Sequence, residues 1–114
     1  FKEVRLLILD EISMIDIKLL RKLDGKLRDL RELSEFYGGM NIVFVGDFRQ
    51  LDPVNAIPIY KDLLSPEWMI AVNSYIELLG MYRFADDIVW GETLKRFRNG
   101  IPLSNDFHYI NERV

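Results

Sequence analysis

Apolar residues in the first part of the chain are spaced as in alternating strands and helices. Val4 to Leu9 and residues 41–46 (NIVFVG) are near-continuous apolar runs, which is typical of strands buried on both faces of a parallel sheet. Between them, over about Ile17 to Phe36, leucines recur at three- and four-residue steps, which predicts a helix with one apolar face. The leucines of this face are Leu20, Leu23, Leu27, Leu30 and Leu33.

Capping and helix-breaking residues indicate where these elements begin and end. Ser13 and Asp16 form an S-x-x-D capping pattern before the first helix, and Tyr37-Gly38-Gly39 is suited to end it. A second, short helix is predicted over about Ile59 to Leu64, with Pro66 closing it.

The second half of the chain continues this order of strand and helix. Ser74 to Leu79 (SYIELL) predicts a third strand, and Asp86-Asp87 suits the positive end of a helix dipole. The buried face of that helix should comprise Trp90, Leu94 and Phe97. Gly100 should end it, and a last short helix should start at Ser104. This order predicts a parallel α/β sheet, in which ligands bind at the carboxyl ends of the strands.

Composition excludes several kinds of site. The 114 residues are 49% hydrophobic and 29% charged, as in one globular domain. With no Cys and a single histidine, His108, the chain cannot form thiolate zinc sites or histidine-rich metal sites, although carboxylates could hold a hard cation. The net charge of −3 means that any contact with nucleic acid has to be local.

The start of the chain suggests a piece of something larger. It opens at Phe1, without an initiator Met and just before a predicted strand, so we expect an internal fragment. No apolar run approaches the roughly 20 residues of a membrane span, so no membrane partner is expected.

Two acidic residues directly follow the first predicted strand. Apolar residues followed by Asp10 and Glu11 form the Walker B arrangement of nucleotide hydrolases. There, the first carboxylate serves a Mg²⁺ ion on the phosphates of ATP, and the second lies within reach of an attacking water. The alternative is a buried strand that ends in two solvated acids, and the motif alone favours neither interpretation.

Polar residues follow the other two predicted strands as well. After the second strand, Gln50 could orient a lytic water, because its amide both donates and accepts hydrogen bonds. Asp47 could join the outer shell of a metal or simply cap the loop as an Asx turn. After the third strand, Arg83 could stabilise charge on a γ-phosphate, although a lone arginine is more often a surface residue. The set of Asp10-Glu11, Gln50 and Arg83, each after its own strand, favours the hydrolase.

Longer strings carry a resemblance to a known family. LLILDEISMID, GGMNIVFVGDFRQLDPV, MYRF and LKRFRNG, found between Arg5 and the end of the chain, resemble the PIF family of superfamily-one DNA helicases, including its transposon-associated branches. The resemblance implies a partial P-loop NTPase (RecA-like) α/β fold, with a mainly parallel sheet and flanking helices. Residues 1–114 would be the C-terminal part of a motor domain, without its phosphate-loop part and without a second domain.

The resemblance also implies roles for the matching residues. Asp10 would hold Mg²⁺ and Glu11 would be the catalytic base of motif II. Gln50 would be the motif III glutamine that links the γ-phosphate to DNA, and Arg83 the motif IV arginine on that phosphate. Together the four would contact ATP. The family unwinds duplexes 5′ to 3′, including forks, in DNA repair, recombination and telomere maintenance. This implies single-stranded and forked DNA as partners and, if the protein is eukaryotic, the nucleus or mitochondrion as the compartment, which the sequence itself leaves unknown.

The sequence departs from the family at two points. Asp52 stands where the family usually has a proline after Gln-Leu, so that Pro53 alone stiffens this loop. No G-x-x-x-x-G-K-[ST] occurs, and that loop makes most of the direct phosphate contacts. We therefore expect activity in an intact parent and not in this fragment alone.

Two other functions stay open on the sequence. A P-loop ATPase of another class would share Asp10-Glu11 but would not predict the GDFRQL and MYRF strings together. An inactive, transposon-derived remnant that acts only as a binding module would fit the missing phosphate loop, although decay should also have altered some of Asp10, Glu11, Gln50 and Arg83.

Overall fold

The structure is a computed structural model that describes residues 3–62, 64–80 and 82–113. The predicted helix over about Ile59 to Leu64 includes Leu63, and the string MYRF includes Met81, so both lie partly outside the described residues. The chain forms two compact units, Phe1–Tyr75 and Ile76–Val114.

The first unit contains a two-stranded parallel sheet. β1 (Leu6–Leu9) pairs with β2 (Asn41–Phe44) in the register Leu6 to Asn41 through Leu9 to Phe44. Both strands were predicted at these places, although each is shorter than its apolar run. Alternate side chains on one face pack against the core.

Burial of the sheet on both faces was predicted, and among the described residues this prediction is wrong. The outward side chains Leu6, Ile8 and Val43 are 49%, 59% and 44% exposed. No described element covers that face. The apolar side chains that made the strands look doubly buried are therefore in contact with solvent on this side of the sheet.

Helix α1 (Ile17–Arg31) covers the other face and supplies much of the core. Its cap is Asp16, whose carboxylate accepts a hydrogen bond from the Leu19 amide at 2.6 Å. Ser13 was predicted to share this cap, but it is buried in a 3-10 turn (Ile12–Met14) before the helix. The core of the unit comprises Ile12, Ile17, Leu20, Leu27, Tyr37, Met40 and Ile59.

Helix α1 ends earlier than the leucine spacing predicts. Glu32 adopts a left-handed conformation (φ 56°), and its amide donates to the carbonyls of Arg28 and Asp29, which closes the helix. Leu33 lies beyond the helix, and both it and Leu30 in the last turn are exposed rather than on the buried face.

A buried carboxylate connects α1 to the start of β2. Asp24 is 7% exposed and accepts hydrogen bonds from the Tyr37 amide at 2.5 Å and from Arg28 Nε at 3.0 Å. Tyr37 and Gly38 both have positive φ in the 3-10 turn Phe36–Gly39, so this bond holds a turn that the backbone would not adopt readily. Tyr37-Gly38-Gly39 therefore leads the chain into β2 instead of ending α1.

The segment after β2 folds differently from the prediction. A 3-10 helix (Ile59–Asp62) occupies part of the predicted short helix, but Pro66 begins helix α2 (Pro66–Ala71) rather than closing a helix. Proline suits this first position because its missing amide would have no partner there. In α2, Trp68 packs on Phe44 of β2, with ring centroids 5.1 Å apart.

The prediction of a third strand is wrong. Residues 72–80 form neither strand nor helix, and Tyr75, Ile76, Leu78 and Leu79 are each at least 79% exposed. A strand needs a hydrogen-bonded neighbour, and no described strand lies beside this segment.

The second unit contains a 3-10 turn (Tyr82–Phe84) and two helices, α3 (Ile88–Arg98) and α4 (Ser104–Asn111). The predicted start of α3 is confirmed, because Asp87 caps it by accepting from the Trp90 amide at 3.0 Å. Its end at Arg98, followed by Gly100 with φ 72°, is confirmed as well. Trp90, Leu94 and Phe97 are partly buried.

Asp106 joins the two helices of this unit. It is 4% exposed and accepts hydrogen bonds from Arg96 Nε at 2.7 Å and from the Leu103 amide at 2.8 Å. Because Arg96 donates hydrogen bonds to its carboxylate, the pKa of Asp106 falls to about 2. In the described part of the chain, no helix is both long and apolar enough to cross a membrane.

Candidate active site

Asp10 and Glu11 lie in a two-residue loop that the main chain of Val45 holds at both ends. The Val45 amide donates to the Leu9 carbonyl at 2.8 Å, and the Val45 carbonyl accepts from the Ile12 amide at 3.0 Å. The acids therefore project from the carboxyl end of β1, directly beside the carboxyl end of β2.

Glu11 has an unusual backbone for a residue with a side chain. Its φ of 54° and ψ of 45° lie in the left-handed region. One oxygen of Asp10 accepts a hydrogen bond from the Glu11 amide at 2.8 Å, which stabilises the bend. Both side chains are exposed, so a ligand at this end of the sheet can reach them. Non-glycine residues in this conformation cluster at functional sites.

Asp47 and Gln50 form a turn after β2. One carboxylate oxygen of Asp47 accepts from the Arg49 amide at 3.0 Å, and its carbonyl accepts from the Gln50 amide at 2.9 Å. The first bond is an Asx turn, so the loop-capping role considered for Asp47 is present. Gln50 is exposed, and its side chain makes no hydrogen bond to the described residues. Because β1 and β2 are parallel, Gln50 follows β2 at the same end of the sheet at which Asp10 and Glu11 follow β1.

Arg83 belongs to the second unit, where it is exposed in the turn Tyr82–Phe84. Its convergence with Asp10 and Glu11 stays a prediction.

The donor set at this edge suits a magnesium ion. Asp10 is exposed, and one of its carboxylate oxygens accepts a hydrogen bond from the Glu11 amide. Within the described part of the chain, no other group forms a hydrogen bond to this carboxylate. A carboxylate oxygen is the ligand that Mg²⁺ prefers, and this ion usually keeps several waters and takes only one or two protein carboxylates. Among the described residues, no three or more metal-binding side chains cluster together.

Asp52, the departure from the family pattern, has a structural role. Its carboxylate accepts from the Tyr60 hydroxyl, at 3.0 Å and 3.1 Å to its two oxygens. This bond raises the pKa of Tyr60. It also ties the loop after Gln50 to the 3-10 helix Ile59–Asp62, so a side-chain contact restrains the loop where a second proline would have done so.

Phe48 after β2 and two arginines of α1 are occupied by contacts within the first unit. Phe48 lies 5.7 Å from Tyr60 and 5.8 Å from Trp68 between ring centroids, which favours packing over stacking with a base. On α1, Arg21 pairs with Glu67 at 3.2 Å, and the Arg28 guanidinium lies over a phenylalanine ring as well as on Asp24. These contacts do not indicate a DNA-tracking face.

Sequence reasoning did not find two parts of this site. Val45 acts through its main chain, so its identity carries no signal. Gly46 follows it with a φ of 149°, a conformation that favours glycine. A glycine at the end of a buried strand, directly before Asp47, was the signal that could have indicated a close backbone approach.

Comparison with known proteins agrees with this architecture. The Pif1 helicase of Candida albicans, a crystal structure, superposes with a TM-score of 0.78 at 32% identity over 92% of this chain and 24% of that chain. The Bacteroides Pif1 bound to single-stranded DNA superposes with a TM-score of 0.72 at 27% identity, covering 95% of this chain and 28% of that one. Most of this chain therefore has the fold of the matching part of solved Pif1 helicases.

Sequence comparison gives the same result. The family model described as PIF1-like helicase matches residues 1–87. The ATP-dependent DNA helicase PIF1 of Saccharomyces cerevisiae is 35% identical over 103 residues, covering 88% of this chain and 12% of that protein. The human protein of the same name is 35% identical over 82 residues, 70% of this chain and 13% of that protein. The chain belongs to the PIF1-like helicase family, and it spans about an eighth of the length of these curated relatives.

Proposed function

We propose that the protein containing this chain is an ATP-dependent DNA helicase that moves 5′ to 3′, and that the chain is the C-terminal part of its first motor domain. The observation that carries the proposal is the acidic loop Asp10–Glu11, held beside the end of β2 and the turn that presents Gln50. Family membership supports the same function, since the relatives are named ATP-dependent DNA helicases.

Each residue has a role in hydrolysis. Asp10 would hold Mg²⁺, directly or through water, and the bound ion would supply positive charge to the terminal phosphates of ATP. Glu11 would accept a proton from the attacking water, and the Gln50 amide would orient that water. Arg83 would donate hydrogen bonds to the γ-phosphate. The Gly-rich phosphate loop would come from outside this sequence.

DNA is the proposed partner. One solved relative is a Pif1 bound to single-stranded DNA, and another is described as unwinding forked double-stranded DNA with two coordinating Pif1 helicases. We extend the proposal to single-stranded and forked DNA, and to roles in DNA repair, recombination and telomere or genome maintenance. Because Gln50 lies on the turn that follows β2, a change at the γ-phosphate would move that turn and alter a DNA contact.

The test is Glu11→Gln in the full-length protein that contains this chain. The amide has nearly the shape of the carboxylate but cannot accept the proton, so ATP binding should persist while turnover falls about 100-fold or more. Glu3→Gln is the matched control, because Glu3 is also exposed but lies before β1. Steady-state hydrolysis and equilibrium binding of a fluorescent ATP analogue measure the two effects.

Two results would contradict the proposal. If the Glu11→Gln protein hydrolyses ATP as fast as the Glu3→Gln protein, Glu11 is not the catalytic base. An unaltered full-length protein that binds DNA but neither hydrolyses ATP nor unwinds a forked duplex would instead be a binding module.

A further inference from the structure

Gly46 lies unusually close to the proposed catalytic loop. A methyl group added at Gly46 would lie 2.8 Å from the Ile12 amide nitrogen, 3.0 Å from Ile12 Cγ2 and 3.4 Å from the Glu11 carbonyl carbon. Ordinary contacts of such a group begin near 3.4 Å. The nearest atom belongs to the main chain, so it cannot rotate away as the end of a side chain could.

That nitrogen also forms one of the two bonds that define the loop. The Ile12 amide donates to the Val45 carbonyl, and Gly46 is the next residue after Val45. A side chain at Gly46 would therefore press on the same peptide group that this hydrogen bond holds. To reach ordinary contact, the two segments would have to separate by about half an ångström, and the bond would lengthen.

We propose that Gly46 is a positioning residue, whose missing side chain lets the end of β2 hold Glu11 in its left-handed conformation and so aim its carboxylate. The inference rests on the proposed function of Glu11 as the base. A residue with a side chain adopts this conformation only where its surroundings hold it, and here the surroundings are the Val45 bonds and the Gly46 contact. The role goes beyond the base itself, because Gly46 has no side chain that could take part in hydrolysis.

Small displacements at a base have large effects on rate. A shift of about 1 Å in a reacting group can lower turnover about 100-fold, so half an ångström at the Glu11 peptide should lower it measurably. The Gly46 contact lies on the Glu11–Ile12 peptide, so substitution should disturb catalysis more than ATP binding.

The experiment is Gly46→Ala in the full-length protein. We expect kcat to fall at least about tenfold while equilibrium affinity for a fluorescent ATP analogue changes less than about twofold. This separation is the readout that a merely structural role would not give, because partial unfolding lowers binding and turnover together. Amide hydrogen exchange adds a direct measurement, since the Ile12 amide should exchange faster when its bond to Val45 lengthens.

Two other glycines provide matched controls. Gly100 has a φ of 72° with no heavy atom near an added methyl group, so Gly100→Ala reports the backbone cost without a collision. Gly25 lies inside α1 with open space around it, and Gly25→Ala should stabilise the helix without changing turnover. The double variant Gly25→Ala/Gly46→Ala recovers part of any lost stability and should keep the low turnover.

The outcomes separate the two proposals. If Gly46→Ala keeps full turnover, or if the double variant regains it along with stability, Gly46 has no positioning role. If Glu11→Gln loses turnover while Gly46→Ala keeps it, only this inference falls. If Glu11→Gln keeps turnover, Glu11 is not the base, and both its proposed role and this inference fall.

Discussion

Replacing Asp24 with alanine should weaken the turn that leads into β2. The substitution leaves the Tyr37 amide without its carboxylate acceptor at 2.5 Å, in a position that is almost wholly buried. A hydrogen bond to a charged group contributes about 1.5–3 kcal/mol. The Arg28 partner is partly exposed, so losing that ion pair adds less than about 1 kcal/mol. We therefore expect a loss of about 2–3 kcal/mol, concentrated where the chain enters the strand that leads to Gly46 and Gln50.

Native-state hydrogen exchange of the Tyr37 amide measures this loss directly in the full-length protein. At about 1.4 kcal/mol per tenfold change, protection of that amide should fall about 30- to 150-fold. Asp29→Ala is the matched control, since Asp29 is exposed on the same helix, and it should change protection little. Asp24→Asn keeps one oxygen for the amide and should lose less. Equal protection in Asp24→Ala and Asp29→Ala would refute the role assigned to this carboxylate.

Two further predictions concern the second unit. The hydrogen bonds from Arg96 hold the pKa of Asp106 at about 2, below the value of about 3.9 expected in an unfolded chain. The contribution of Asp106 to the free energy of unfolding should therefore be complete above about pH 4 and disappear as the pH falls towards 2. Asp106→Asn should remove that part of the acid dependence, measured as protection of the Leu103 amide; an unchanged profile would contradict it. Arg83→Ala should lower ATP turnover more than ATP affinity. A loss of affinity alone would indicate a contact made before the reaction.

The sequence predicted the elements whose signals are local. The Asp87 cap and the glycine after α3 lie within one turn of that helix, and the spacing of Leu20 and Leu27 indicated the buried face of α1 correctly. The parallel pairing followed from two apolar runs separated by a helix. The caps and the leucine spacing depend on neighbours a few residues away, and the pairing follows from the order of the elements, so single-sequence reasoning can find them.

The elements that were missed depend on distant partners. The end of α1 is set by the left-handed Glu32 and by Asp24 reaching Tyr37, neither of which leucine spacing reports. The segment 74–79 has the composition of a strand, but hydrogen bonding to a neighbour decides strand formation. Pro66 suits either end of a helix, and only the fold shows which.

The candidate site divides in the same way. The sequence indicated Asp10, Glu11 and Gln50 through side-chain chemistry. In the structure, all three follow strands of the same sheet at the same edge. The clamp formed by Val45 uses main-chain atoms that any residue possesses, so no letter of the sequence could reveal it. The position of Arg83 relative to these residues stays a prediction.

The open face of the sheet has a practical consequence. Leu6, Ile8 and Val43 form a row of apolar side chains in contact with water. Each square ångström of that row costs about 25 cal/mol relative to burial, so the layer is stabilised by whatever apolar surface is laid over it. In a preparation of these 114 residues by themselves, the nearest such surface is the same row on another copy, and self-association competes with the folded monomer.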